Sequence, residues 1–236
     1  MAGQEHSVSV AVLIPWRDGD PAREAAFGYV VERWRTETDY DVIIGECSEG
    51  PWIKAHAVEE AFRRTLADVI IVADADVWCD GVPDAVQAIR DGQAWAVPHI
   101  TVRRLTEAAT ALIYAGAEFD PAAPLDRTQY VGVKGGGVVV LDRRILEDVP
   151  LDPAFENWGG EDISWGYALT AIHGAAWRGS ADLFHLYHPL EPRQGPNYSS
   201  FEGRRRYRMY HEAQGRPSAM GLLIDPVREA LSNYGR

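Results

Sequence analysis

Short apolar runs at residues 8–14, 41–45 and 68–73 alternate with stretches at 21–35 and 53–66 whose apolar residues recur at helical spacing. The run at 68–73 (DVIIVA) has no polar side chain between Val69 and Ala73, as a strand covered on both faces requires. Pro21 after Asp18 and Asp20 is a helix-start signal, with Ala25, Ala26, Tyr29, Val30 and Trp34 on the inner face. Ala57, Val58, Ala61 and Phe62 give the second helix its apolar side, and a helix at 81–90 and a strand at 94–97 follow. This order predicts an α/β fold with a mostly parallel sheet flanked by helices. Ligands of such sheets bind beyond the carboxyl ends of the strands. Residues 15–20 and 74–76 should therefore face one crevice.

The second half is less regular. It predicts a helix at 106–117, a glycine-led strand at 134–141, a helix from 157–160 to about His173, and a strand at 183–188. From Ser199 the tail reads as mostly helical, interrupted by Gly215, Pro217 and Pro226. Without repeats or a clear linker, the expectation is one domain at 1–190 with a C-terminal segment, 191–236, packed on it.

The formal charge of −12 argues against wrapping a polyanion over much of the surface. Cys47 and Cys79 give no disulfide framework and suit a reducing compartment. No apolar run nears the roughly 20 residues of a membrane-spanning helix, and the N-terminus lacks a secretory pattern. The expected location is the cytoplasm, or a host's cytoplasm if the chain is viral.

Three clusters could carry chemistry. Asp74 and Asp76 close the third strand, where alternation would point both carboxylates to one side. Paired hard oxygen ligands there suit Mg²⁺ or Mn²⁺ bridging a diphosphate, although two aspartates can also simply cap a turn. In 183–188, alternation puts His185 and Tyr187 on one face and His188 on the other. One imidazole, His185, is thus expected to join the acidic pair and favour Mn²⁺, with His188 the less favoured ligand. Asn157-Trp158-Gly159-Gly160-Glu161-Asp162 opens a helix. The helix dipole would keep Asp162 ionised and able to take a proton from a hydroxyl, though a plain helix cap would look similar. The glycines after Lys134, Gly136 among them, suit a backbone close to a ligand or to another chain segment, and equally a flexible turn.

Between Arg193 and Arg208 the chain carries five arginines against Glu202 alone, a local reversal of its acidic balance. These could form a lid over a diphosphate, a patch for a phosphate-bearing acceptor such as DNA with hydroxylated bases, or a solvated helix face.

In their order, Ile14-Pro15-Trp16-Arg17, the D-x-D, the glycine-led strand, Trp158–Asp162 and a late histidine resemble GT-A fold glycosyltransferases over roughly residues 8–189. The nearest branch contains the β-1,4-galactosyltransferases, chondroitin-polymerase-like enzymes and polypeptide N-acetylgalactosaminyltransferases. The resemblance implies a nucleotide-sugar half at 1–100, an acceptor half at 101–190, and Mn²⁺ or Mg²⁺ with a UDP-sugar donor. Pro15, Arg17 and Glu46 would line the base and ribose, with Asp74 nearby. Lys54 or His56 would replace an Asn-Arg-type pair near the donor, and Gly136 and Trp158 complete the donor set. Asp76 and His185 would hold the metal, with Asp74 direct or through water. Glu161 would touch sugar or acceptor, and Asp162 would be the base of an inverting displacement. Ile163-Ser164 stands where the galactosyltransferases carry a third acidic residue, so the resemblance leaves the acceptor open among glycan, protein, small molecule and modified DNA.

Two other classes share parts of this pattern. A nucleotidyltransferase shares the sheet but carries a Gly-rich basic loop after the first strand, unlike Pro15–Asp20 here. A non-catalytic sugar-nucleotide-binding module would bind the donor without turning it over.

Overall fold

The computed structural model describes residues 8–47, 50–189 and 200–234. Its first half runs β1 (Val10–Trp16), α1 (Pro21–Glu37), β2 (Asp41–Glu46), α2 (Lys54–Phe62), β3 (Val69–Ala73), β4 (Val77–Trp78) and α3 (Val82–Arg90). The second half runs β5 (Trp95–Arg104), α4 (Glu107–Tyr114), β6 (Tyr130–Val131), β7 (Val138–Asp142), α5 (Arg143–Asp148), α6 (Glu161–His173), β8 (Trp177–His185), α7 (Phe201–Ala213) and α8 (Pro217–Asn233).

The strands form one sheet in the order β2-β1-β3-β7-β5-β8-β4, with β6 on β5. β1 is parallel to β2 and β3, as the alternating first half requires. β7 then enters antiparallel between β3 and β5, and β8 returns parallel to β5, so the complete sheet is mixed.

Every residue of β1 and β3 is buried. Alternate side chains serve opposite cores. Val10, Val12, Ile14, Val69 and Ile71 pack with α1 and α3 through Val30, Trp34, Val86 and Ile89. Ala11, Leu13, Ile70 and Val72 face α2, α6 and the C-terminal helices through Val58, Phe62, Trp165, Leu169, Tyr210 and Ile224. Each fully buried Leu, Ile or Val stabilises by about 1.5–3 kcal/mol, so both layers hold the strand ends in register.

Asp20 caps α1 by accepting from Ala22 N at 2.9 Å and Arg23 N at 3.1 Å, as the sequence predicts. Three expectations need correction. The late strand is Trp177–His185 rather than 183–188, because it follows β5 as far as Arg104 and ends where that partner ends. Pro226 does not break the tail: α8 runs through it, with Ile224, Val227 and Leu231 buried on either side. Part of the arginine run is structural. Arg206 ion-pairs with Asp152, which also accepts from Tyr210 Oη at 3.0 Å, fastening α7 to the body. Arg205 pairs along its own helix with Glu202 at 2.7 Å. Arg193 lies outside the described residues.

Candidate active site

The carboxyl ends of β1 and β3 open into a cavity of about 370 Å³. Pro15, Lys54, Asp74, Asp76, Trp158, Glu161, Asp162, His185 and His188 all reach it.

Asp74 and Asp76 do not act as a pair. The strand stops at Ala73 and the chain turns through 75–76, so the period of two that would align the side chains is lost. Asp74 goes one way. Its Oδ1 accepts from Lys54 Nζ at 2.7 Å and its Oδ2 from Gly137 N at 3.1 Å, while its own N donates to Gly137 O at 2.8 Å. Both oxygens are engaged, and Asp74 becomes a clamp between α2 and the start of β7.

Asp76 goes the other way, toward two imidazoles. Its Oδ2 is 3.1 Å from His188 Nε2, and its Oδ1 is 3.7 Å from His185 Nε2. The expected separation of the histidines rested on strand alternation through residue 188. β8 instead ends at His185, and the following turn brings His188 back to the same carboxylate. The possible ligand atoms of Asp76, His185 and His188 lie within 4.8 Å of one another.

The hydrogen bonding of these rings fits a cation. His185 Nδ1 is 2.8 Å from Leu186 O and His188 Nδ1 is 2.7 Å from Pro189 O. A carbonyl only accepts, so each Nδ1 carries a proton and Nε2 is the atom left to face a cation. Burial works against charging His188, but the Asp76 carboxylate outweighs it and raises its pKa, so a cation would displace a proton there. Burial pushes His185 down to about 4, keeping it neutral. Burial opposes charging Asp76 as well, but the two histidines outweigh it and hold the carboxyl below its usual range. A carboxylate with two imidazole nitrogens is a donor set that suits Mn²⁺ better than Mg²⁺.

Lys54 joins the two sides of the cavity. Its Nζ, 2.7 Å from Asp74, is also 2.8 Å from Asp162 Oδ1. Burial works against this ammonium, yet the charges of Asp162 and Asp74 raise its pKa and keep it protonated. Asp162 departs from the dipole-based expectation. Burial pushes its carboxyl up, the Lys54 charge pulls back, and the charge of Asp74 adds to the rise. Glu161 rises to about 7, first through burial and then through the charge of Asp162. Its Oε2 accepts from Gly159 N at 2.8 Å, so part of its work is to close the turn before α6.

The glycines after Lys134 make room for another chain segment. A Cβ on Gly135 would lie 2.0 Å from Asp162 O, and one on Gly136 would lie 2.9 Å from Asp162 Oδ2. Gly136 thus shapes the seat of Asp162.

The remaining donor candidates divide. Trp158 lines the cavity and stacks with Trp52, ring centroids 6.3 Å apart. Arg17 lies in an adjoining cavity of about 280 Å³ that shares Arg23, Trp52 and Trp158 with the first. Glu46 is exposed at the end of β2, in register with Trp16. His56 is turned away, stacked on Tyr234 at 3.8 Å.

Sequence reasoning missed Arg23, Trp52, Arg104 and Tyr130, all of which line the cavity. Arg23 lies 4.9 Å over the Trp158 ring, and Arg104 Nε donates to Tyr130 Oη at 3.3 Å. Arg23 was discoverable in principle, because it occupies the first turn of the helix after β1, at the carboxyl edge of the sheet.

No protein-family model matches the sequence, and no curated protein matches it. Solved structures share its fold. The catalytic domain of Drosophila β1,4-galactosyltransferase 7, solved with xylobiose, aligns with a TM-score of 0.52 at 13% identity, covering 86% of this chain and 80% of that one. Glucosyl-3-phosphoglycerate synthase of Mycobacterium tuberculosis aligns at 0.50 with 15% identity, covering 87% and 80%. The same mycobacterial enzyme with Mn²⁺, UDP-glucose and glycerol 3-phosphate gives 0.48 at 15% identity, covering 78% and 73%. The chain has the GT-A fold, as its ordered motifs led us to expect. Among the described residues no helix is long and apolar enough to cross a membrane.

Proposed function

We propose that this chain is a metal-dependent glycosyltransferase that moves a sugar from a nucleoside diphosphate donor, UDP-linked by preference, to an acceptor hydroxyl with inversion. The observation that carries the reading is the meeting, in one cavity, of the Asp76–His185–His188 cluster with a buried Asp162 held by Lys54.

Asp76, His185 and His188 would hold Mn²⁺ or Mg²⁺. The bound ion would offset charge on the departing diphosphate. Arg23, Trp158 and Pro15 flank the space a nucleotide would fill, and the indole of Trp158 offers a face for stacking.

Asp162 receives the proton of the acceptor hydroxyl as its oxygen bonds to the anomeric carbon. The bond from that carbon to the diphosphate oxygen breaks in the same displacement, and the diphosphate leaves with the electron pair. A carboxyl raised by burial is better matched to accepting a proton near neutral pH than an ordinary aspartate. Lys54 holds Asp162 by its Oδ1, which is a positioning contribution.

The test is a panel of nucleotide-sugars with and without Mn²⁺, read by thermal shift and by release of free nucleoside diphosphate. Stabilisation by one sugar nucleotide only with metal, followed by diphosphate release, is the expected result. Pyrophosphate as the product would replace this reading with nucleotidyl transfer. Binding without turnover, unchanged in Asp162→Asn, would leave only a binding module.

A further inference from the structure

A third cavity, of about 450 Å³, adjoins the first. The two share Val133 and Ile163 as walls, and Ile163 directly follows Asp162 in the chain. One side is a single face of α6, where Ile163, Gly166, Tyr167 and Thr170 recur at helical spacing. The lining also includes the turn between α7 and α8, at Gln214 and Gly215.

Its chemistry differs from that of the charged cavity beside it. Among the described residues the lining includes no carboxylate, and Lys134 is its one charged residue. The Thr170 hydroxyl donates back to Gly166 O at 2.7 Å, leaving its methyl as the more available part. Val133, Ile163 and the Tyr167 ring supply apolar surface. The volume lies within the range of small-molecule sites, and among the described residues Lys134 is the one cation that lines the space. It begins one residue from the proposed base and lies away from the Asp76 cluster. A molecule presenting a hydroxyl to Asp162 could therefore lay its far end here.

We propose that this cavity is an acceptor subsite that takes an apolar group, aryl or alkyl, attached to the moiety that bears the accepting hydroxyl. The proposal rests on the glycosyltransferase reading for its purpose, and on its own geometry for binding. It selects acceptors that are amphipathic small molecules, with a polar head at Asp162 and an apolar tail along α6.

The probes are octyl β-glucoside, kept below its micelle threshold, and methyl β-glucoside, titrated against the protein by calorimetry. UDP with Mn²⁺ is titrated in parallel. The octyl compound should bind at least about tenfold more tightly, because its chain leaves water on entering the cavity. Thr170→Trp fills the cavity from α6 and should abolish that advantage while leaving UDP–Mn²⁺ binding unchanged. Gln214→Trp, at an exposed turn position where folding is not at stake, should do the same. Equal affinities for the two glucosides, or an octyl advantage that survives both substitutions, would overturn the proposal. Failure of UDP–Mn²⁺ to bind the unsubstituted protein would instead count against the glycosyltransferase reading, and the glucoside comparison would still decide the cavity.

Discussion

Lys54 Nζ lies 2.8 Å from Asp162 Oδ1, so an amine at the first turn of α2 is joined to a carboxylate at the first turn of α6. The same nitrogen is 2.7 Å from Asp74 Oδ1. One buried cation thus balances two acids that sit 88 positions apart in sequence, and much of the behaviour of the cavity follows from it.

Lys54→Met should leave two carboxylates facing one another without a cation. Breaking a buried pair of this kind costs about 3–5 kcal/mol. Urea denaturation should show a loss of that order. Stability within about 0.5 kcal/mol of the parent would mean that the bridge does not form in solution.

Asp162→Asn keeps size and shape but cannot take a proton. Turnover should fall by a factor of about 10² to 10⁴, while metal-dependent donor binding, followed by thermal shift, stays near that of the parent. An equal loss in binding and turnover would make Asp162 a donor contact instead of a base.

His188→Ala and His185→Ala should each weaken Mn²⁺ binding, by about tenfold or more, if both Nε2 atoms coordinate one ion. Calorimetry with Mn²⁺ alone measures this directly. Retention of full affinity by His188→Ala would return that residue to the minor role its place in the sequence suggested.

Glu161 carries a pH signature. Its carboxyl titrates at about 7 in the folded protein, against an ordinary value of 4.5. Between those values the folded chain holds a proton that the unfolded chain has released, so unfolding is favoured as pH rises through the window. Glu161 contributes a decline in the denaturation midpoint from about pH 4.5 to about pH 7. His99 and His185, both pushed down to about 4 by burial, contribute a rise over much of that window, so the signature is the difference between the parent and Glu161→Gln. Glu161→Gln should remove the Glu161 contribution, so its midpoint should gain on the parent's as pH rises through the window. Identical slopes in the two proteins would remove Glu161 as the source.

Asp152→Ala should loosen the C-terminal helices. It strands the Arg206 guanidinium and the Tyr210 hydroxyl, both of which point to its Oδ2. A loss of about 3–5 kcal/mol is expected from uncovering a partly buried charge. A change confined to the exposed end of α7, without a shift of the global transition, would show that the two helices unfold separately from the body.

The first half of the fold was legible because both layers of side chain on β1 and β3 are buried, which leaves unbroken apolar runs in the sequence. The short pairs Val77–Trp78 and Tyr130–Val131 carry no such pattern, since two residues cannot display a period. That Asp76, His185 and Asp162 would meet in one cavity could be read from sequence, but their partners could not. Asp76 turned from Asp74, and His188 toward Asp76, because the chain leaves strand geometry at Ala73 and at His185. Periodic reasoning fails at strand ends, and Asp76 and His188 both lie just beyond one. Arg23 and Arg104 escaped because each sits inside a regular element whose other residues are occupied with packing.

Gly135 and Gly136 have a consequence for how this protein can change. Their bare α-carbons form a socket into which the leading coil of α6 is pressed, with the Asp162 carbonyl 2.0 Å from where a methyl on residue 135 would stand. The reach of the acid into the crevice is therefore governed by the size of residues that take no part in the reaction. One carbon added there would act as a shim, lifting Glu161 and Asp162 together while every side chain that lines the crevice kept its identity.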